Sequence, residues 1–171
     1  FSPQVLLVGN PGPEVETLLT KQNIPFETTG FLDKPKEVAE AYGRADLFLF
    51  CSTADNLPLT VIETMACGTP MIGFATGGIP EITEHMETGF LAGTGDQAGV
   101  NEGLRLALQN PDMLRDWSSK GVRRAKELFS KETFVDRHLE LYEELIEGFP
   151  YNGSNKSRGR LGSSNSKVRN S

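Results

Sequence analysis

Residues 46–70 constrain the fold more than any other stretch. An apolar run, Asp46-Leu-Phe-Leu-Phe-Cys51, reads as a strand and ends at small and polar residues. The loop after it holds a carboxylate, Asp55, and a proline at position 58, where the first turn of a helix tolerates a missing N–H. Val61, Ile62, Met65 and Ala66 then recur at helical spacing. The helix stops at Gly68, which can take a left-handed cap, with Pro70 just beyond. A second carboxylate, Glu63, lies on this helix eight residues after the first.

The same strand–helix alternation runs through the first half of the chain. Gln4-Val-Leu-Leu-Val-Gly9 is a short continuous apolar run, as expected of a strand covered on both faces. Residues 10–13 form a turn, and residues 13–22 a helix with Val15, Leu18 and Leu19 inward. A weaker strand spans 24–30, a loop 31–35, and a helix 36–43 with Val38, Ala39 and Tyr42 inward. After the central helix come a strand at 71–75, a short helix opened by Gly77-Gly78, and a last strand at 89–92. This spacing predicts right-handed β-α-β units and a parallel sheet. From Asp96 the pattern is helical only: Val100, Leu104, Ala107 and Leu108 share one face, a second helix covers 113–129, and a third runs from about 132 to 147. Its stripe is Phe134, His138, Leu141 and Leu145, and Gly148 with Pro150 should end it. The expected class is α/β, a doubly wound Rossmann-like parallel sheet with C-terminal helices.

At 171 residues the chain suits one domain with a substantial core. It begins with Phe1 and is expected to be a fragment or an excised domain. The net charge of −6 is unevenly spread. Residues 150–171 hold five basic residues and no acidic one, so residues 1–149 carry 12 Lys+Arg against 23 Asp+Glu. Nucleic-acid binding runs on phosphate neutralisation, and an acidic body argues against it. The Gly/Ser/Asn-rich tail reads as a solvated, disordered segment, with contact to anionic lipid or nucleic acid as the alternative. Cys51 and Cys67 have no ligand-like spacing, and the plain reading is two buried, reduced thiols in a cytoplasmic protein, with a peripheral position at the inner membrane face compatible with the tail. No run approaches the ~18 apolar residues of a membrane span, and no carboxylate–His cluster implies a metal. No cofactor is expected.

A strand feeding a helix N-terminus is a ready anion site, because free N–H groups and the helix dipole point at the ligand. Asp55 and Glu63 are badly placed to bind phosphate but well placed to accept hydrogen bonds from hydroxyls attached to one. A ligand with phosphate in the middle and polyols at both ends, a nucleotide sugar, fits that description.

Four ordered motifs then carry a resemblance: Asp55-Asn-Leu-Pro-Leu-Thr-Val-Ile-Glu63, Met65-Ala-Cys-Gly-Thr-Pro70, Gly77-Gly-Ile-Pro-Glu81 and Glu87-Thr-Gly-Phe-Leu91. In order and spacing they resemble the C-terminal, donor-binding domain of GT-B glycosyltransferases of family 4, the retaining, group 1 type. Weaker matches extend the resemblance over residues 3–147. Leu6-Leu-Val-Gly9 is similar to that domain's second strand, Thr29-Gly-Phe-Leu32 to its third, and Phe129-Ser-Lys-Glu132 with Tyr142 to its terminal helices.

The resemblance implies roles. Asp55 would accept hydrogen bonds from donor-sugar hydroxyls, and Glu63 would hold the ribose. Asn56, Leu57 and Leu59 would line the loop whose N–H groups meet the sugar and pyrophosphate. Phe31 and Leu32 would border the nucleobase, while Gly9 and Gly12 would let backbone approach the phosphates. Two departures stand out: the first acidic position is usually Glu, one carbon longer than Asp55, and Pro58 removes a backbone donor. The family's basic pair before the strand at Gln4, and its acceptor-holding N-terminal domain, have no counterpart in these residues. The expected partners are a nucleotide-diphosphate sugar, an unknown acceptor and the missing N-terminal domain.

Blander readings stay open. Glu63 is otherwise an ordinary charged residue early in a helix, Asp55 a turn residue or N-cap, and Gly77-Gly78 a purely conformational pair. His85 reads as a surface residue and His138 as a packing one. A non-catalytic nucleotide-binding module is the rival function. A dehydrogenase is weaker, since Gly9-Asn-Pro-Gly-Pro-Glu14 lacks G-x-G-x-x-G.

Overall fold

The computed structural model describes residues 3–148, so the basic tail and the domain boundary expected at residue 150 lie outside the described residues. The chain divides into two compact units between Phe134 and Val135.

The first unit alternates strand and helix: β1 (Val5–Leu7), α1 (Pro13–Lys21), β2 (Phe26–Thr28), α2 (Pro35–Gly43), β3 (Phe48–Phe50), α3 (Leu59–Ala66), β4 (Met71–Phe74), α4 (Ile79–Ile82) and β5 (Gly89–Ala92). Two longer helices follow, α5 (Gln97–Gln109) and α6 (Pro111–Phe129), and α7 (Lys131–Gly148) crosses the boundary between units. All strand pairing within these sheets is parallel, as the spacing predicts.

The parallel sheet comes in two pieces, β1–β2 and β3–β4–β5, with Val5 opposite Phe26 in one and Phe48 opposite Met71 in the other. The usual doubly wound order, 3-2-1-4-5-6, puts strand 1 between strands 2 and 4. By the resemblance β1 is the second strand, and β1 and β3 are not neighbours. Each pairs on one side only.

β4 is the centre, buried along its whole length. Its side chains alternate between two cores, as the two-residue strand period requires. Met71 packs with Val61 and Met65 of α3, Ile79 and Ile82 of α4, and Ala125 of α6. Ile72 and Phe74 pack on the other face with Ala92, Val100, Ala107 and Trp117. One helix, α6, serves both cores, through Trp117 near its start and Ala125 near its end.

Several inward faces shift. Val15 and Leu18 of α1 are 41% and 57% exposed: α1 connects the two strands of the smaller piece and buries no residue at all. On α2 the buried pair is Ala41 and Tyr42, and Ala39 is exposed. On α3 Thr64 is buried in place of Ala66, its hydroxyl satisfied by Val61 O at 3.1 Å. Leu108 turns outward from the α5 face. Cys51 is exposed, not buried, since it follows β3 on the side of the sheet piece with no further strand, and Cys67 is half-buried. Both thiols are free, and partial burial pushes both above their ordinary range.

The second unit's described part, residues 135–148, is helical to Gly148, one residue beyond the expected end. The His138 and Tyr142 rings meet edge to face at 6.3 Å, one helical turn apart. Leu141 and Leu145 on this stripe are exposed.

Candidate functional site

Four of the loops singled out in the sequence sit at the carboxyl end of a parallel strand, the place where open α/β sheets bind ligands. β1 runs out into Gly9, β2 into residues 29–32, β3 into the Asp55 loop, and β4 into Gly77-Gly78.

The first two of these loops meet. Gly9 and Gly30 form an isolated antiparallel bridge, and the Gly9 N–H donates to Thr29 Oγ1 at 3.2 Å. Phe31 follows this bridge directly and is 80% exposed, and Leu32 is half-buried. Gly12 is the N-cap of α1, with Pro13 at the first helical position. A Cβ at Gly12 would lie 2.9 Å from Glu14 Oε2, so a carboxylate already lies close to this helix start. Glu14 and Glu16 both occupy the first turn of α1, where the dipole stabilises them.

The other two loops meet more closely. The Gly78 N–H donates to Asn56 O at 2.6 Å, tying the turn after β4 to the loop after β3. Gly77 has φ of +54°, and a Cβ there would stand 1.7 Å from Asp55 O. At Gly78 a Cβ would stand 2.4 Å from Asn56 O. Two glycines are therefore required for the backbones to touch, which goes beyond a purely conformational reading of the pair. Asp55 and Asn56 remain exposed at the surface of this contact, as do Leu57 and Leu59.

Pro58 is the N-cap of α3 rather than a residue of its first turn, and no side chain caps the helix. Asp55 is therefore not a cap. With nearby residues 52–66 carrying no Lys or Arg, the N-terminus of α3 is the local source of positive potential. Glu63 is exposed in the second turn of α3, opposite the end of α2. Burial, and next the Glu63 charge, push the Tyr42 hydroxyl above its ordinary range. Burial pushes the Cys67 thiol up, and Glu63 adds to it. Tyr42 thus neighbours the candidate ribose-binding carboxylate, a buried aromatic that its core-like helical spacing gave no reason to single out.

The structure brings Asp55 and Asn56 against Gly77-Gly78, and Gly9 against Gly30 and Thr29. Two cavities are present: one of about 150 Å³ lined by Glu84, Lys120 and Arg124, away from these loops, and one of about 410 Å³ that begins at Pro13 and Glu14 beside Gly12 and runs along Thr17 and Leu18. The carboxylates sit on open loop and helix surface, and their chemistry follows from the loops rather than from these cavities. His85 is exposed, as expected, and it also braces the strand beside it. Its Nδ1 accepts the Leu91 N–H at 3.0 Å, and its ring lies on Phe90. Among the described residues no helix is long and apolar enough to cross a membrane.

Comparison with known proteins bears on the same residues. The family model for glycosyl transferases group 1 matches residues 4–124. The chain is 34% identical over 145 residues to N-acetyl-alpha-D-glucosaminyl L-malate synthase of Bacillus anthracis, covering 84% of this chain and 38% of that protein. It is 33% identical over 153 residues to D-inositol 3-phosphate glycosyltransferase of Rhodococcus erythropolis, covering 82% of this chain and 34% of that protein. Among solved structures it superposes on sucrose-phosphate synthase of Thermosynechococcus elongatus with a TM-score of 0.73 and 28% identity, over 84% of this chain and 39% of that one. Anabaena HepE, solved in complex with UDP-glucose, superposes with a TM-score of 0.70 at 21% identity, over 81% of this chain and 40% of that one. The chain thus spans about two fifths, or less, of the length of these proteins. Its fold is the Rossmann-like C-terminal half of GT-B.

Proposed function

Because the chain belongs to the glycosyl transferases group 1 family, we propose that it is the donor-binding half of a glycosyltransferase that moves a sugar from a nucleotide diphosphate to an acceptor with retained configuration. The observation that carries this reading is the backbone junction between Gly77-Gly78 and the Asp55–Asn56 loop, beside the N-terminus of α3. It holds a carboxylate and a helix dipole at one strand end, one suited to sugar hydroxyls and the other to phosphate. HepE's complex with UDP-glucose supports the same ligand class.

In this reading Asp55 accepts hydrogen bonds from the sugar and Glu63 from the ribose, with Tyr42 near Glu63. Backbone N–H groups of Asn56, Leu57 and Leu59 face the pyrophosphate. Phe31 and Leu32 border the base, and the Gly9 and Gly12 turns leave room for phosphate. As the sugar–oxygen bond breaks, negative charge grows on the leaving diphosphate, and preorganised dipoles stabilise it more than they stabilise the ground state. The site side contributed by these residues is acidic. Glu14, Asp55 and Glu63 offer nothing to neutralise a diphosphate, so the basic groups and the acceptor must be supplied from outside it. The chain alone should accordingly show no appreciable turnover, since acceptor and donor have to be held together.

A non-catalytic nucleotide-binding module is the second reading; it shares the ligand class and differs in giving no transfer even when the acceptor and basic groups are supplied. Calorimetric titration with UDP-glucose, UDP and NAD tests the proposal. The expected order places both uridine ligands above NAD. Tighter binding of NAD would overturn the ligand class, and transfer from a nucleotide sugar by the chain alone would overturn the division of labour.

A further inference from the structure

We propose that Arg124 is a positioning residue for the donor loop, acting through α4 on the Gly77-Gly78 junction; the proposal rests on the donor-binding reading above. Arg124 projects from the later turns of α6, 42 residues along the chain from the end of α4. Its guanidinium reaches the end of α4 with all three of its nitrogens. Nε donates to Ile82 O at 2.7 Å, one terminal nitrogen to Glu81 O at 2.8 Å, and the other to Glu84 Oε1 at 2.7 Å.

A four-residue helix gains little from its own hydrogen bonds, and its last carbonyls lack partners within the helix. Arg124 supplies two of them, in a planar fork that lysine's single ammonium cannot reproduce. The other end of α4 is Gly78, its N-cap, whose N–H holds Asn56 O. Between the two ends, Ile79 and Ile82 are fully buried against Val61 and Met65 of α3. The helix is therefore pinned at three points: a guanidinium at its carboxyl end, the core along its side, and the donor loop at its amino end. Releasing the first pin lets the short helix shift or fray, and the shift is delivered to Asn56 and Asp55. Arg124 touches no ligand in this arrangement. Of the residues lining the nearby cavity, Glu84 accepts from Arg124, while Lys120 is bound to Glu87 at 2.7 Å outside the clamp.

The test uses the intact protein and three variants: Arg124→Gln, Arg124→Lys and Glu84→Gln. Each is titrated with UDP and with UDP-glucose, and amide exchange is followed at Gly78 and along α5. Loss of the fork should weaken UDP-glucose by about tenfold in Arg124→Gln and UDP by less, because UDP keeps only the loop's pyrophosphate contacts and has no sugar for the loop to hold. Lysine should restore part of that loss. Glu84→Gln keeps both carbonyl bonds and should leave the ratio unchanged. The Gly78 amide should exchange faster in Arg124→Gln with α5 amides unaltered. Equal weakening of both ligands, or no weakening of either, would overturn the proposal. Should Arg124→Gln not fold, the same ratio in Arg124→Lys decides. If the unmutated protein binds neither ligand, the donor-site reading fails, and unchanged Gly78 exchange would sink the clamp as well.

Discussion

Replacing Gly77 by Ala is the sharpest perturbation of the candidate site, and Gly95 is its control. Both glycines have positive φ, +54° and +81°. An alanine in that region costs roughly 1–2 kcal/mol wherever it stands. At Gly95 nothing lies within 4 Å of the new methyl, so the backbone term is the whole effect. At Gly77 the methyl would stand 1.7 Å from Asp55 O, about half a van der Waals contact. The loop has to move, and the bond from Gly78 N–H to Asn56 O, 2.6 Å long, is lost with it. That bond contributes about 1 kcal/mol. Gly77→Ala should therefore exceed Gly95→Ala by at least about 1 kcal/mol, a further fall of about 2–4 °C in Tm for a chain of this size. Calorimetric melting checks the stability term and titration with UDP-glucose the site term. The ligand should bind Gly95→Ala as it binds the parent and Gly77→Ala markedly less well. Equal melting of the two variants, with unchanged affinity in both, would refute the claim that this junction shapes the site.

The two carboxylates should separate by ligand: Glu63→Gln weakens UDP and UDP-glucose alike, each by the part of a charge-assisted hydrogen bond of about 1.5–3 kcal/mol that the amide cannot replace. Asp55→Asn should weaken UDP-glucose alone, and equal losses for both ligands in both variants would remove the assigned roles. Trp117→Phe deletes the donor to Met86 O, a 2.9 Å bond from a nearly fully buried ring, and should cost about 1–3 kcal/mol in a denaturant melt. The Arg44 guanidinium holds the exposed Glu27 carboxyl below its ordinary value of 4.5 by hydrogen bonding. A depressed folded-state value means the pair stabilises above about pH 4.5 and fades as pH falls below it. The Tm gap between the parent and Glu27→Gln should shrink between pH 5 and pH 3, and a gap constant with pH would contradict the pairing.

Local signals determined much of this protein. Every helix and strand expected from periodicity exists, because apolar spacing, Gly–Pro stops and short apolar runs act within a few residues of one another. The Asp55 and Glu63 positions were legible for the same reason, since the loop and helix that carry them are contiguous. Contacts across distant parts of the chain were not. Periodicity turned Val15 and Leu18 inward, but whether a helix face is buried depends on what lies beside its sheet, and α1 adjoins a piece of only two strands. It chose Ala39 over Ala41 because both positions suit a nine-residue helix, and only the neighbouring helix decides the rotation. The pairing of Gly77-Gly78 with Asp55 and Asn56 joins distant residues through a backbone contact, which leaves no mark on composition beyond the two glycines. The grip of Arg124 on Ile82 spans 42 residues and is invisible in a string where Arg123 stands next to it. A sequence records which residues suit a strand end; the tertiary structure decides which strand ends meet, because that depends on three-dimensional packing that no local pattern encodes.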